Sequence, residues 1–157
     1  MTTLKAACVA AIYISPLAAG LPVLVSEVSA VAGAGLVGDR YYEGQGTWSH
    51  WPGGGRQVTL IEEEVIASLR QALTAPVTGA QTRRNIVTRH VELNTWVGLD
   101  FAVGEVVMRG VRLCEPCAHL EQRSHRGIAA ALQHRGGLRA DILHGGVIRQ
   151  GDMLRRV

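Results

Sequence analysis

The run Phe101-Ala102-Val103-Gly104-Glu105-Val106-Val107-Met108-Arg109-Gly110-Val111-Arg112-Leu113 has the make-up of pleated structure. Phe101 to Val103 and Glu105 to Leu113 read as two strands, with Gly104 supplying a turn or bulge between them. Cys114 to Cys117 ends the run. Similar segments lie on both sides of it. Upstream, Ala7 to Ile14 and Val23 to Val31 read as strands joined by a Pro/Gly turn region, Gln57 to Ile61 alternates, and Asn85 to Thr88 is a short buried strand. Downstream come Leu138 to Leu143, Val147 to Arg149 and Met153 to Val157, separated by turns at Gly145-Gly146 and Gly151-Asp152. Two helices interrupt the strands. Glu62, Glu63 and Glu64 load the first turn of one with the negative charge its dipole favours, and Val65, Ile66, Leu69 and Leu73 form its buried face. The other runs from about Gly127 to His134, with Ile128, Ala131 and Leu132 on one side. Seven to nine short strands relieved by two helices predict a mainly β, antiparallel or mixed barrel in a single domain, residues 1–157. A doubly wound sheet would need helices between most strands. Gly33-Ala34-Gly35-Leu36-Val37-Gly38 spells a dinucleotide-binding spacing, but no helical pattern follows it.

Composition narrows the function. Seven aromatic residues among 157 leave the core to Val, Leu, Ile and Ala, and 19 glycines imply many turns and bulges. The formal charge is +3, and 15 of the 16 basic residues are arginine. These arginines are dispersed and are not interleaved with aromatics, which argues against nucleic acid as the partner. The bias suits gripping a phosphate or carboxylate with planar guanidinium forks. Three cysteines cannot all pair within one chain, so a reducing cytoplasm is the expected compartment. The uncharged stretch from Ala6 to Val25 approaches the length of a membrane span, but Ser15, Pro16, Gly20 and Pro22 divide it into two short strand-like runs. A membrane segment or signal peptide is therefore not expected.

Two segments are candidates for chemistry. From Gly33 to Gly55 the chain carries eight glycines, Tyr41, Tyr42, Trp48 and Trp51, a loop long enough to be functional. Cys114-Glu115-Pro116-Cys117, followed by His119, admits several readings: buried thiols, a redox disulfide, half of a zinc site, or one low-pKa thiolate acting as nucleophile or soft metal ligand. No second such pair exists to complete a structural zinc site, although His119, His125 and Cys8 are other donors. The βαβ setting of a thioredoxin-like motif is also missing. Both segments are loops, so they are expected at one cleft.

Five strings occur in order and spacing: Gly35-Leu36-Val37-Gly38-Asp39-Arg40; Arg56-Gln57-Val58-Thr59-Leu60-Ile61 with Glu63-Glu64; Arg83-Arg84-Asn85-Ile86-Val87-Thr88; Cys114-Glu115-Pro116-Cys117; and Leu143-His144-Gly145-Gly146-Val147-Ile148 with Gly151-Asp152. In this the chain resembles MOSC domains over nearly its whole length. The resemblance implies a β-barrel-like fold with two or three short helices and a cleft that holds the molybdenum cofactor (molybdopterin) or receives a sulfur atom. It assigns the chemistry to Cys117, as molybdenum ligand or persulfide carrier, with Cys114 in a less typical place. Arg83 and Asn85 match the family's phosphate- or pterin-facing element. Asp39 and Arg40 are cofactor-binding candidates too, or else a local ion pair or turn cap at the loop mouth. His50, His90 and His144 lack ligand spacing and read as loop or core residues.

Three functions follow as alternatives. One is a molybdenum-cofactor-binding protein, as in reductases of N-oxygenated compounds. Another is a sulfur carrier with a Cys117 persulfide. The third is a noncatalytic interaction or zinc module. The first two imply a separate electron-transfer protein or a sulfur-donating desulfurase as partner. No flavin fingerprint is present, and the cysteines are too few for a usual iron-sulfur cluster, so neither is expected in this chain.

Overall fold

The computed structural model describes residues 5–17, 20–44, 53–116, 120, 124 and 126–157. The strands are β1 (Cys8–Ile14), β2 (Val23–Val25), β3 (Glu27–Val31), β4 (Gly35–Leu36), β5 (Val58–Glu62), β6 (Ile86–Arg89), β7 (Asp100–Val103), β8 (Val106–Leu113), β9 (Leu138–His144), β10 (Gly146–Arg149) and β11 (Leu154–Arg156). The helices are α1 (Glu63–Ala72), α2 (Gly79–Thr82) and α3 (Ile128–Ala131), with a 3-10 turn at Leu93–Trp96. One sheet runs β11-β7-β8-β9-β5-β6-β1-β2 and a second runs β10-β3-β4. The mainly β architecture expected from the sequence is what the structure has.

Two cores hold it together. Between the sheets, Val9, Ile12, Leu36, Val58, Leu60, Ile86, Phe101, Met108, Leu138 and Ile148 pack as one cluster. On the other face of the large sheet, Ile61 and Val87 meet Val65, Ile66 and Leu69 of α1 and Ile128 of α3. Leu60/Ile61 and Ile86/Val87 therefore send alternate side chains into different cores, as the period of two demands. In β1 the alternation slips: a bulge between Val9 and Ala11 places both Val9 and Ile12 in the inter-sheet core although they are three residues apart. The β5/β6 ladder is parallel, so α1 and α2 form its crossover.

Four expectations need correction. The barrel is not closed by a ladder among the described residues. The free edge of β1 is divided, with Ile12 to Ile14 paired to β2 while Cys8 meets Met153 in one isolated bridge. The expected strand Val23 to Val31 is two strands in different sheets, because the chain bends at Ser26. The second helix is short, spanning only Ile128 to Ala131. Glu62 closes β5 and precedes α1, whose first turn carries only Glu63 and Glu64.

Gly137 shows how tightly β9 enters this arrangement. Its φ is +99°, and a Cβ there would run into the Leu60 carbonyl. Gly151 has a similar φ of +92° but open space around it. Gly137→Ala should therefore cost about 3 kcal/mol or more in urea unfolding, whereas Gly151→Ala should cost only the backbone strain of about 1–2 kcal/mol. Equal losses would show that strain alone, and not the close approach to Leu60, forbids a side chain at Gly137.

Candidate functional site

Register places the sequence-selected residues close to one row of paired residues that crosses the large sheet. Ile86 pairs with both Ile12 and Leu60, Leu60 pairs with Leu138, and Leu138 pairs with Leu113. Asn85 lies one residue to one side of that row, level with Thr59, whereas Gly137 and Cys114 lie one residue to the other, toward Ile61. Cys114 N–H accordingly donates to Gly137 O at 2.7 Å, and Tyr13 N–H to Asn85 O at 2.6 Å.

Asn85 is the junction. Its Oδ1 accepts from Thr59 N (3.0 Å) and Thr59 Oγ1 (3.1 Å), and its Nδ2 donates to Tyr13 O (3.1 Å) and Asp39 Oδ1 (3.3 Å). All four bonding positions of the carboxamide are used, two as acceptor and two as donor. Asp39, 1% exposed, also accepts from Ser15 N at 2.8 Å through Oδ1 and from Tyr41 N at 3.3 Å through Oδ2. It caps the turn that opens the glycine-rich loop, the plainer of the two roles considered for it.

Three arginines surround this junction. Arg83 sits at the C-cap of α2 with φ 59° and ψ 26°, and its Nη1 donates to Gly20 O at 2.9 Å. Arg84 turns the other way. Its Nε donates to Gly136 O (2.7 Å), its Nη2 to Cys114 O (3.1 Å) and its Nη1 to Thr82 O (3.2 Å). Both side chains are buried. Arg40 donates its backbone N–H to Ser15 O at 2.8 Å and stacks its guanidinium 5.0 Å from the Tyr41 ring centroid. Its Nε is buried and has no hydrogen-bond partner among the described residues.

The family model described as the MOSC domain matches residues 45–155. The chain belongs to the MOSC domain family. Among solved structures it is similar to the YuaD protein from Bacillus subtilis, at 14% identity and a TM-score of 0.79, with 98% of this chain and 97% of that one covered. YiiM from Geobacillus stearothermophilus is 14% identical with a TM-score of 0.73, covering 96% of this chain and 75% of that one. YiiM from Escherichia coli is 18% identical with a TM-score of 0.71, covering 98% and 70%. At such identities the likeness establishes the fold. No protein of curated function matches the sequence.

In this MOSC chain the two cysteines of the C-x-x-C element differ in standing. Cys114 is a free thiol, fully buried at the end of β8. Cys117 lies outside the described residues, as do His50, His119, His125, Trp48 and Trp51. The expected meeting of the Gly33 to Gly55 loop with the cysteine turn is therefore traced only at their roots. From Asp39 the contacts run through Asn85 to its neighbour Arg84 and on to Cys114. Among the described residues no group of three or more His, Cys, Asp or Glu side chains is arranged to hold a metal. No helix among them is long and apolar enough to cross a membrane. Sequence reasoning missed Thr59, Ser15 and the Tyr13 carbonyl as partners of the site. Backbone pairing brings them there, and no motif announces it. The doublets Arg83-Arg84 and Gly136-Gly137 were the available signals.

A separate groove lies at the far end of β5, lined by Glu62, Glu64, His90, Val91 and Glu92. Glu64 accepts from His90 N at 3.0 Å, and His90 Nδ1 lies 3.7 Å from the same carboxylate oxygen. Burial first, and then the neighbouring Glu64 charge, push the Glu62 carboxyl up to about 7.

Two predictions follow from this geometry. Asn85→Ala removes partners from the buried Asp39 carboxylate and from Thr59, and should destabilise the fold by about 2–4 kcal/mol in urea unfolding. A loss under about 0.5 kcal/mol would mean that the junction is dispensable. For Glu62, a raised folded pKa favours the native state at low pH. That benefit is lost as pH rises from the unfolded value toward about 7. Glu62→Gln should thus be more stable than the parent by about 1 kcal/mol at pH 8, a figure discounted for partial exposure, with the advantage vanishing near pH 4.5. A constant difference across that range would show that Glu62 titrates normally.

Proposed function

We propose that this chain binds the molybdenum cofactor at the site around Arg83, Arg84, Asn85, Asp39 and Arg40, with Cys117 as the molybdenum ligand. The observation that carries the reading is the charge at this site. Arg84 is buried, and the hydrogen bonds of its guanidinium go to neutral carbonyl oxygens, with no carboxylate in ion-pair range among the described residues. A buried cation is costly unless an anion balances it, and a phosphate group does so. The Arg40 Nε, without a partner among the described residues, is a further buried donor, suited to a phosphate or pterin acceptor. The residues present thus fit the group.

Within this reading Arg83 and Arg40 bind the anionic end, while Arg84 supplies balancing charge and holds the backbone of the cysteine turn. Asn85 and Asp39 are positioning residues, since their side chains are engaged with the scaffold. A cytoplasmic thiolate at Cys117 is a soft donor that neither Asp39 nor Asn85 can replace. When bound, the cofactor would supply a redox-active molybdenum for reducing N-oxygenated compounds, with electrons from a separate protein.

The test is chemical analysis of the protein produced with molybdate. Pterin and molybdenum should copurify. Arg83→Ala should weaken phosphate-dependent binding by about 1.5–3 kcal/mol, and Arg83→Lys should recover only part of that. Cys117→Ser should lose molybdenum while Cys114→Ser retains most of it. Sulfane sulfur on Cys117 without pterin would replace this reading by that of a persulfide carrier served by a desulfurase. Neither cargo would point to a noncatalytic or zinc module.

A further inference from the structure

We propose that β2 is a dimerisation strand, pairing antiparallel with β2 of a second copy across a two-fold axis at Leu24, so that two eight-stranded sheets continue into one.

The large sheet has two terminal strands, and they differ. β11 is covered at its start, where Leu154 N–H donates to Ala7 O at 3.0 Å, and beyond that it carries Arg155 and Arg156, both exposed, whose charge keeps the rest of the edge from recruiting another strand. β2 carries Val23, Leu24 and Val25 and meets no strand on its outer side among the described residues. From Ala6 to Ser26 the sequence holds no charge at all, so two copies can approach along this edge without like-charge repulsion. Val-Leu-Val is also a palindrome. An antiparallel two-fold pairing centred on Leu24 sets Leu24 against its own copy and Val23 against Val25, the self-complementarity that an isologous contact requires.

The side chains are exposed in the way such a contact needs. Leu21 is 84% exposed, Leu24 64%, Leu17 63% and Val23 48%, and all lie on β2 or on the chain leading into it. On the two faces of this edge they expose apolar area on the order of 500 Å² in all, the size of the largest and often functional patch on a typical monomer. Two such patches facing each other cover about 1,000 Å², near the lower limit for a specific interface, so the expected dimer is micromolar. A second copy matches this surface in chemistry, charge and symmetry. The Leu24 side chain lies beside Tyr13, its register partner on β1, which gives the contact a firm backing.

Light scattering on the full chain, with and without substitutions at the axis, tests the proposal. From about 1 to about 200 µM the wild type should pass from monomer to dimer and no further, since a two-fold contact closes. Leu24→Lys and Leu24→Glu should each remain monomeric over that range with unchanged circular dichroism. An equimolar mixture of the two should recover the dimer, because opposite charges then meet at the axis. Leu143→Lys, an exposed leucine on β9, should dimerise like the parent. A wild type that stays monomeric at about 200 µM, forms species larger than a dimer, or dimerises equally well with Leu24→Lys would overturn the assignment.

Discussion

The carboxamide of Asn85 is the constraint on which the site depends. Three strands and a loop converge there: β1 through the Tyr13 carbonyl, β5 through Thr59, β6 through the residue's own backbone, and the glycine-rich loop through Asp39. A buried carboxylate such as Asp39 is tolerable only because three donors meet it. An aspartate in place of Asn85 would bring two carboxylates together, and a leucine would strand the Thr59 amide. Only a side chain with both acceptor and donor ends satisfies both neighbours.

Arg84 extends that constraint to the cysteine turn. Its contacts with Gly136 and Cys114 tie the entry of β9 to the exit of β8 on the side away from the loop. A Cβ at Gly136 would collide with the Cys114 carbonyl, so the glycine is what lets the two backbones approach closely enough for one guanidinium to reach both. The cysteine turn therefore leaves β8 from an anchored root. The Cys114 sulfur itself is packed in the interior.

Much of this was legible in the residues, and the failures have physical causes. The pair β7 and β8 was visible because Gly104 separates two strand-like runs, and α1 because acidic residues precede a helical apolar period. The break at Ser26 was not visible, since Val23 to Val31 is apolar enough to pass for one strand and only the existence of a second sheet divides it. Barrel closure failed for a similar reason: strand number says how many ladders exist, whereas β2 occupies half of the edge that closure needs. Motif resemblance drew attention to Arg83, Asn85, Asp39 and Arg40. It did not reveal that Asn85 and Asp39 face the scaffold, which only their hydrogen-bond partners disclose.

The left-handed backbone at Arg83 explains how neighbouring arginines can serve different neighbours. Ending α2 with φ 59° lets the Arg83 side chain reach Gly20 beyond β1 while Arg84 reaches Gly136 and Cys114 beyond β9 and β8. A non-glycine residue pays for that conformation with roughly 1–2 kcal/mol. Glycine would relieve the strain but leave no guanidinium, so strain is accepted where the charge is needed. The same turn then delivers Asn85 to the start of β6 with its side chain aimed at β1 and β5. Three successive residues thus reach the connection between β1 and β2, the cysteine turn and the sheet, and a one-residue shift here would misplace all three together.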